Sequence, residues 1–252
     1  MLKYIYSSLV ILGTFFVGTH IESMEGADSL DPINKVDDIV ENLHPAFQEF
    51  DTSTTHIFIS SDSTDYVIES TGLPKHKTVY WGDQNELYSN ESILKKDKNN
   101  INDLNNSFKI TVDATPNLSG NLINTGLNTV GVAINGVSIF SHQNTVDLIE
   151  DSIGSYDWTG GRTADNLYHY QLEPKAITNN DDKLVGVLKD GIFIYGRKCS
   201  AINDYPKDLD VSGGHFAPTQ HNPKGEYHYH IKNKTFGNTN SYVIFEGPYQ
   251  GF

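Results

Sequence analysis

The sequence predicts an all-β, mostly antiparallel fold, an internally duplicated and sandwich-like domain behind a short N-terminal leader. Three observations predict it. Short runs of β-branched and aromatic residues recur between Gly, Asn, Asp and Ser punctuation, as strands do. Helical periodicity is almost absent beyond residue 120, with Val146–Ile149 the one short candidate. Ordered blocks also repeat: Gly131–Phe140 matches Gly186–Tyr195, Asp157–Arg162 matches Asp210–His215, and Tyr168–Tyr170 matches Tyr227–Tyr229. The offsets are 55, 53 and 59 residues, in the same order, which reads as an internal duplication with units of about 130–171 and 185–230.

Each element follows from its local chemistry. Residues 1–23 carry one early charge, Lys3, ahead of an apolar run from Leu9 to Val17 with small residues Thr19 and Ser23 beyond. That pattern predicts a cleaved export signal or a retained N-terminal anchor, too short for a comfortable span. Residues 24–50 form an acidic leader, with Val36, Ile39, Val40 and Leu43 at helical spacing and Pro45 expected to end it. The single β domain then occupies 51–252, with strands expected at His56–Ile59, Tyr66–Ile68, Lys77–Trp81 and Phe108–Val112. Asn135-Gly136 and Asp190-Gly191, each between apolar runs, predict hairpins because both central residues tolerate positive φ. Gly160-Gly161 and Gly213-Gly214 predict turns leading into aromatic-histidine strands.

Composition excludes some functions. The 252 residues are 37 % hydrophobic with a formal net charge of −14, which argues against nucleic acid or an anionic membrane as partner. Contact with a membrane is expected only through an uncleaved N-terminal segment. One cysteine, Cys199, allows no internal disulfide; its basic neighbours favour a thiolate, but without a partner in view it reads as a passive thiol. Four Asn-x-Ser/Thr triplets begin at Asn90, Asn105, Asn117 and Asn233 and matter only where the host glycosylates.

Chemistry concentrates in Tyr227-His228-Tyr229-His230. On a strand, alternate side chains share a face, so His228 and His230 point one way and the tyrosines the other. Two such imidazoles suit a divalent ion, zinc or copper. His215, from the preceding Gly-Gly turn, is a candidate third ligand, and His169, the duplicate of His228, a fourth. Asp210 or Asp190 would ligate or orient an imidazole. His221 sits in a Pro-containing loop and is not expected to take part. An aromatic layer that only holds the sheet together is the competing reading of the same residues. A recognition role is another: fourteen tyrosines and abundant Asn suit a small-molecule or glycan ligand, or another exported protein.

Asp190–Gly196, Leu209–His215, Glu226–His230 and the ending Tyr242–Tyr249 together resemble the YHYH domain over roughly residues 105–252. The resemblance implies an exported chain, secreted or periplasmic, and names no reaction. Members of that family often place a cysteine before the Gly-Gly-His turn, where this chain has Thr159 and Ser212. The first unit also ends in Gln171 where the second has His230, and its turn carries Arg162 where the second has His215. The second unit is therefore the expected carrier of function.

Overall fold

A computed structural model describes residues 43–94, 99–142, 152–164, 166–177 and 181–252. The predicted signal, most of the acidic leader and the Val146–Ile149 helix candidate lie outside the described residues. Among the described residues, eleven strands form two sheets. The smaller is an antiparallel β1-β2-β3 meander from Thr55–Ile59, Tyr66–Ser70 and Phe108–Val112. The larger has eight strands in the order β10-β11-β9-β8-β4-β5-β7-β6. Its members are β4 (Thr129–Ala133), β5 (Ser138–Phe140), β6 (Gly161–Ala164), β7 (Leu167–Tyr170), β8 (Leu184–Leu188), β9 (Phe193–Tyr195), β10 (Gly214–Ala217) and β11 (Glu226–His230). Pairing is antiparallel except at β5–β7 and β9–β11.

The central strands are buried on both faces, so β8 reads Leu-Val-Gly-Val-Leu with no polar residue. One face packs Val132, Leu184, Val187 and Phe193 against Ile68, Ile110 and Val112 of the small sheet, which makes the sandwich. The other face gathers Ile139, Tyr168, Tyr170, Leu188, Ile194 and Tyr229 beneath the 79–93 segment, Ile101 and the 244–249 segment. Among the described residues the longest helix is the five-residue 3-10 turn Pro45–Glu49. Pro45 opens that turn, since a first-turn proline has no N–H to satisfy and His44 Nδ1 accepts from Ala46 N–H.

The two halves of the large sheet have the same pairing. β4-β5-β7-β6 and β8-β9-β11-β10 run outward from the β4–β8 junction, where Val132 pairs with Val187. Ile139 opposes Tyr170 as Ile194 opposes Tyr229, and Arg162 opposes His169 as His215 opposes His228. Both hairpins form where expected, and each uses the tolerance for positive φ at one residue. Only Gly136 (φ 84°) and Gly191 (φ 82°) are left-handed, while Asn135 and Asp190 are not. Gly136 N–H bonds Ala133 O and Ala133 N–H bonds Val137 O, a three-residue loop closing on a glycine bulge. The second hairpin repeats those bonds between Leu188, Gly191 and Ile192. Lys77–Trp81 is not a strand either: Thr78 makes one isolated bridge to Tyr88, and the segment turns over the tyrosine face as a lid.

Candidate metal centre

Strand pairing builds the site. The β10–β11 register sets His215 beside His228, and His230 follows two residues on, along the same face. β11 also pairs in parallel with β9, so the chain leaving β9 at Tyr195 runs beside His230. Four residues beyond that strand, Cys199 enters the same space. Its Sγ and one nitrogen from each of His215, His228 and His230 lie within 4.8 Å of one another. All four residues are buried, from 0 % exposed for Cys199 to 8 % for His215.

The hydrogen bonds around the rings decide their protonation. His228 Nδ1 lies 3.0 Å from Glu226 O, and His230 Nδ1 lies 2.7 Å from Gly196 O. Carbonyl oxygens only accept, so both Nδ1 atoms carry the proton. His215 Nδ1 donates likewise to Asp208 Oδ1 at 3.0 Å. In the neutral rings of His228 and His230 each Nε2 is then a bare acceptor. His215 Nε2 is buried with no partner, and the Nε2 atoms of His228 and His230 face each other at 3.0 Å. Burial pushes the His228 ring below its ordinary pKa and the His230 ring down to about 3, so a shared proton is disfavoured. Two lone pairs aimed at each other in a buried pocket repel, and a cation held by both could relieve that repulsion.

These donors fit a tetrahedral ion. Three neutral imidazoles and a thiolate are a borderline-to-soft set suited to zinc or copper. Bond lengths of about 2.0–2.3 Å would separate the donors by roughly 3.3–3.6 Å, so donors up to 4.8 Å apart would close in while the 3.0 Å pair of His228 and His230 would open slightly. The Nδ1 bonds to two carbonyls and a carboxylate are the outer partners that metal-bound imidazoles require. The cysteine loop is held by Arg197, which is ion-paired to Glu173 (3.1 Å) and Asp181 (2.5 Å) and stacked 4.0 Å from the Tyr242 ring centre.

The other expected ligands are elsewhere. Asp210 is outside the cluster: its Oδ2 accepts from Tyr227 OH at 2.6 Å and its Oδ1 from the N–H groups of Ser212 and Gly214. Tyrosine and imidazole project from opposite faces of β11, so a carboxylate tied to Tyr227 cannot reach the imidazoles. Asp190 is bound in the same manner to Tyr229 OH at 2.6 Å and to Gly251 N–H at 3.1 Å. His169 lies in the other half of the sheet, fully buried and stacked on Phe140 with ring centres 3.8 Å apart. Burial, reinforced by the Arg162 charge, lowers its pKa to about 3. His221 is also outside the cluster and accepts from or donates to Tyr195 OH at 2.8 Å.

Sequence reading missed Cys199 and Asp208. The signal for Cys199 was its place just after the strand that pairs with β11, but that adjacency needs the parallel β9–β11 pairing, which residue spacing does not reveal. Comparison with family models, curated proteins and solved structures finds no match. Among the described residues, no helix is long and apolar enough to cross a membrane.

Proposed function

We propose that this chain is an exported, YHYH-like β protein, built by duplication, whose second half holds one zinc or copper ion on Cys199, His215, His228 and His230. The observation that carries the metal is the 3.0 Å approach of two unprotonated Nε2 atoms beside an unpartnered third. The matched pairing of the two half-sheets supports duplication, and the N-terminal charge and apolar pattern supports export.

Four protein donors at near-complete burial leave little room for a substrate, which favours an ion that braces the structure over one that turns over a reactant. Its ligands tie the loop 196–204 to the β10–β11 edge in a chain without disulfides. When bound, the ion would supply charge to the facing lone pairs and a covalent brace to three segments. Elemental analysis of full-length protein made without a histidine tag, before and after reloading with zinc and with copper, tests this. About one ion per chain, lost in C199S and in H230Q, is expected; less than a tenth after reloading would sink the reading.

A further inference from the structure

The four Asn-x-Ser/Thr triplets play no part in the metal centre, and the fold treats them alike. Asn90, Asn105, Asn117 and Asn233 are all exposed, and so are the hydroxyl residues two positions on, Ser92, Ser107, Ser119 and Thr235. Exposure of the hydroxyl partners is the more telling half, since Thr78, Ser138, Ser141 and Thr159 of the same chain are buried. All four triplets also lie outside the strands, in the segments preceding β3, following β3 and following β11.

Local bonding separates acceptor asparagines from structural ones. Asn106 is buried: its Nδ2 donates to Ile101 O at 2.8 Å and its Oδ1 accepts from Tyr168 N–H at 2.9 Å. Its neighbours Asn105 and Ser107 are the exposed pair. At Asn117 the carbonyl oxygen is engaged, accepting from Ser119 Oγ at 2.8 Å and Ser119 N–H at 3.2 Å. At Asn233 it is again Oδ1 that is held, by Arg197 Nη1 at 2.9 Å. Those bonds engage the oxygen and leave the amide nitrogen, the atom a glycan would occupy.

We infer that Asn90, Asn105, Asn117 and Asn233 are acceptors for Asn-linked glycosylation, with a lipid-linked oligosaccharyl diphosphate as donor. The inference rests on the export reading, because only an exported chain meets that donor. In the transfer, Asn Nδ2 attacks the anomeric carbon. The C–N bond forms as the C–O bond to diphosphate breaks, diphosphate leaves with the electron pair, and Nδ2 loses one proton. The folded protein carries the product without rearrangement because each site is a surface loop.

The test is secretory expression of the full chain in eukaryotic cells, once with residues 1–23 and once with a proven cleavable leader in their place. Digestion with an Asn-glycan amidase should collapse a ladder of four rungs, and N90Q, N105Q, N117Q and N233Q should each remove one. Amidase treatment should convert the occupied asparagines to aspartate, read by mass spectrometry. Chain secreted with all four asparagines unmodified overturns the inference. Modification under the substitute leader alone upholds it while refuting export by residues 1–23.

Discussion

Replacing His230 with glutamine separates the metal from the fold, because the first half of the sheet already contains that substitution. Gln171 occupies the equivalent position and donates its Nε2 to Ser141 O at 2.7 Å, as His230 donates Nδ1–H to Gly196 O at 2.7 Å. H230Q therefore keeps the backbone bond and removes the Nε2 donor. Losing a direct ligand must weaken the ion by more than the roughly 10–100-fold that loss of an outer partner causes. With free metal at 100 times the wild-type Kd, bound ion stabilises the fold by about 2.7 kcal/mol. A 100-fold weaker site retains about 0.4 kcal/mol, a difference of about 2.3 kcal/mol. At this chain length that is a drop in Tm of roughly 5–9 °C. Under chelator the sign reverses, since wild type then keeps two facing lone pairs and an unsatisfied buried acceptor costs about 1–3 kcal/mol. Scanning calorimetry of both proteins, with zinc and with chelator, reads the crossover. An equal Tm difference in the two conditions would refute the reasoning.

C199S should retain the fold but lose the sulfur-to-metal charge-transfer band of the cobalt-substituted protein; an unchanged spectrum places Sγ outside the coordination sphere. D208N, at a carboxylate 70 % exposed, should weaken zinc about 10–100-fold in competition titration while moving the metal-free Tm by no more than its surface position warrants. Y229F removes the donor to buried Asp190 from the opposite face and should cost about 1–3 kcal/mol in urea unfolding with metal affinity unchanged.

The strands and their turns were legible because they depend on neighbours in sequence. Asn135-Gly136 and Asp190-Gly191 mark hairpins whatever surrounds them, although the bulged loop form was set by strand twist. The same-face pair His228 and His230 was legible for the same reason, since period-two alternation fixes it. Lys77–Trp81 misled because Thr, Val, Tyr and Trp suit any half-buried surface, and here they form a lid over the tyrosine layer rather than a strand. Asp210 misled because carboxylates both ligate ions and cap turns. The choice was made by Gly214, where a Cβ would sit 2.4 Å from Tyr227 OH, so the glycine admits the hydroxyl that occupies Asp210. Cys199 was illegible because its partnership depends on a parallel pairing between strands more than thirty residues apart.

The difference between the halves predicts the stoichiometry. Arg162 opposes His169 as His215 opposes His228, and its Nη1 is held by Ser155 Oγ at 3.1 Å. A guanidinium stands where the second half has an imidazole ligand, and Gln171 offers an amide where the second half has His230. The Arg162 charge already disfavours protonation of His169 and would repel a divalent ion more strongly, roughly in proportion to its charge. One chain should therefore bind one ion, and H169Q should leave that number and its affinity unchanged. Isothermal titration of both proteins with zinc decides it. A second equivalent in wild type that disappears in H169Q would show that the arginine does not bar the first half from cations.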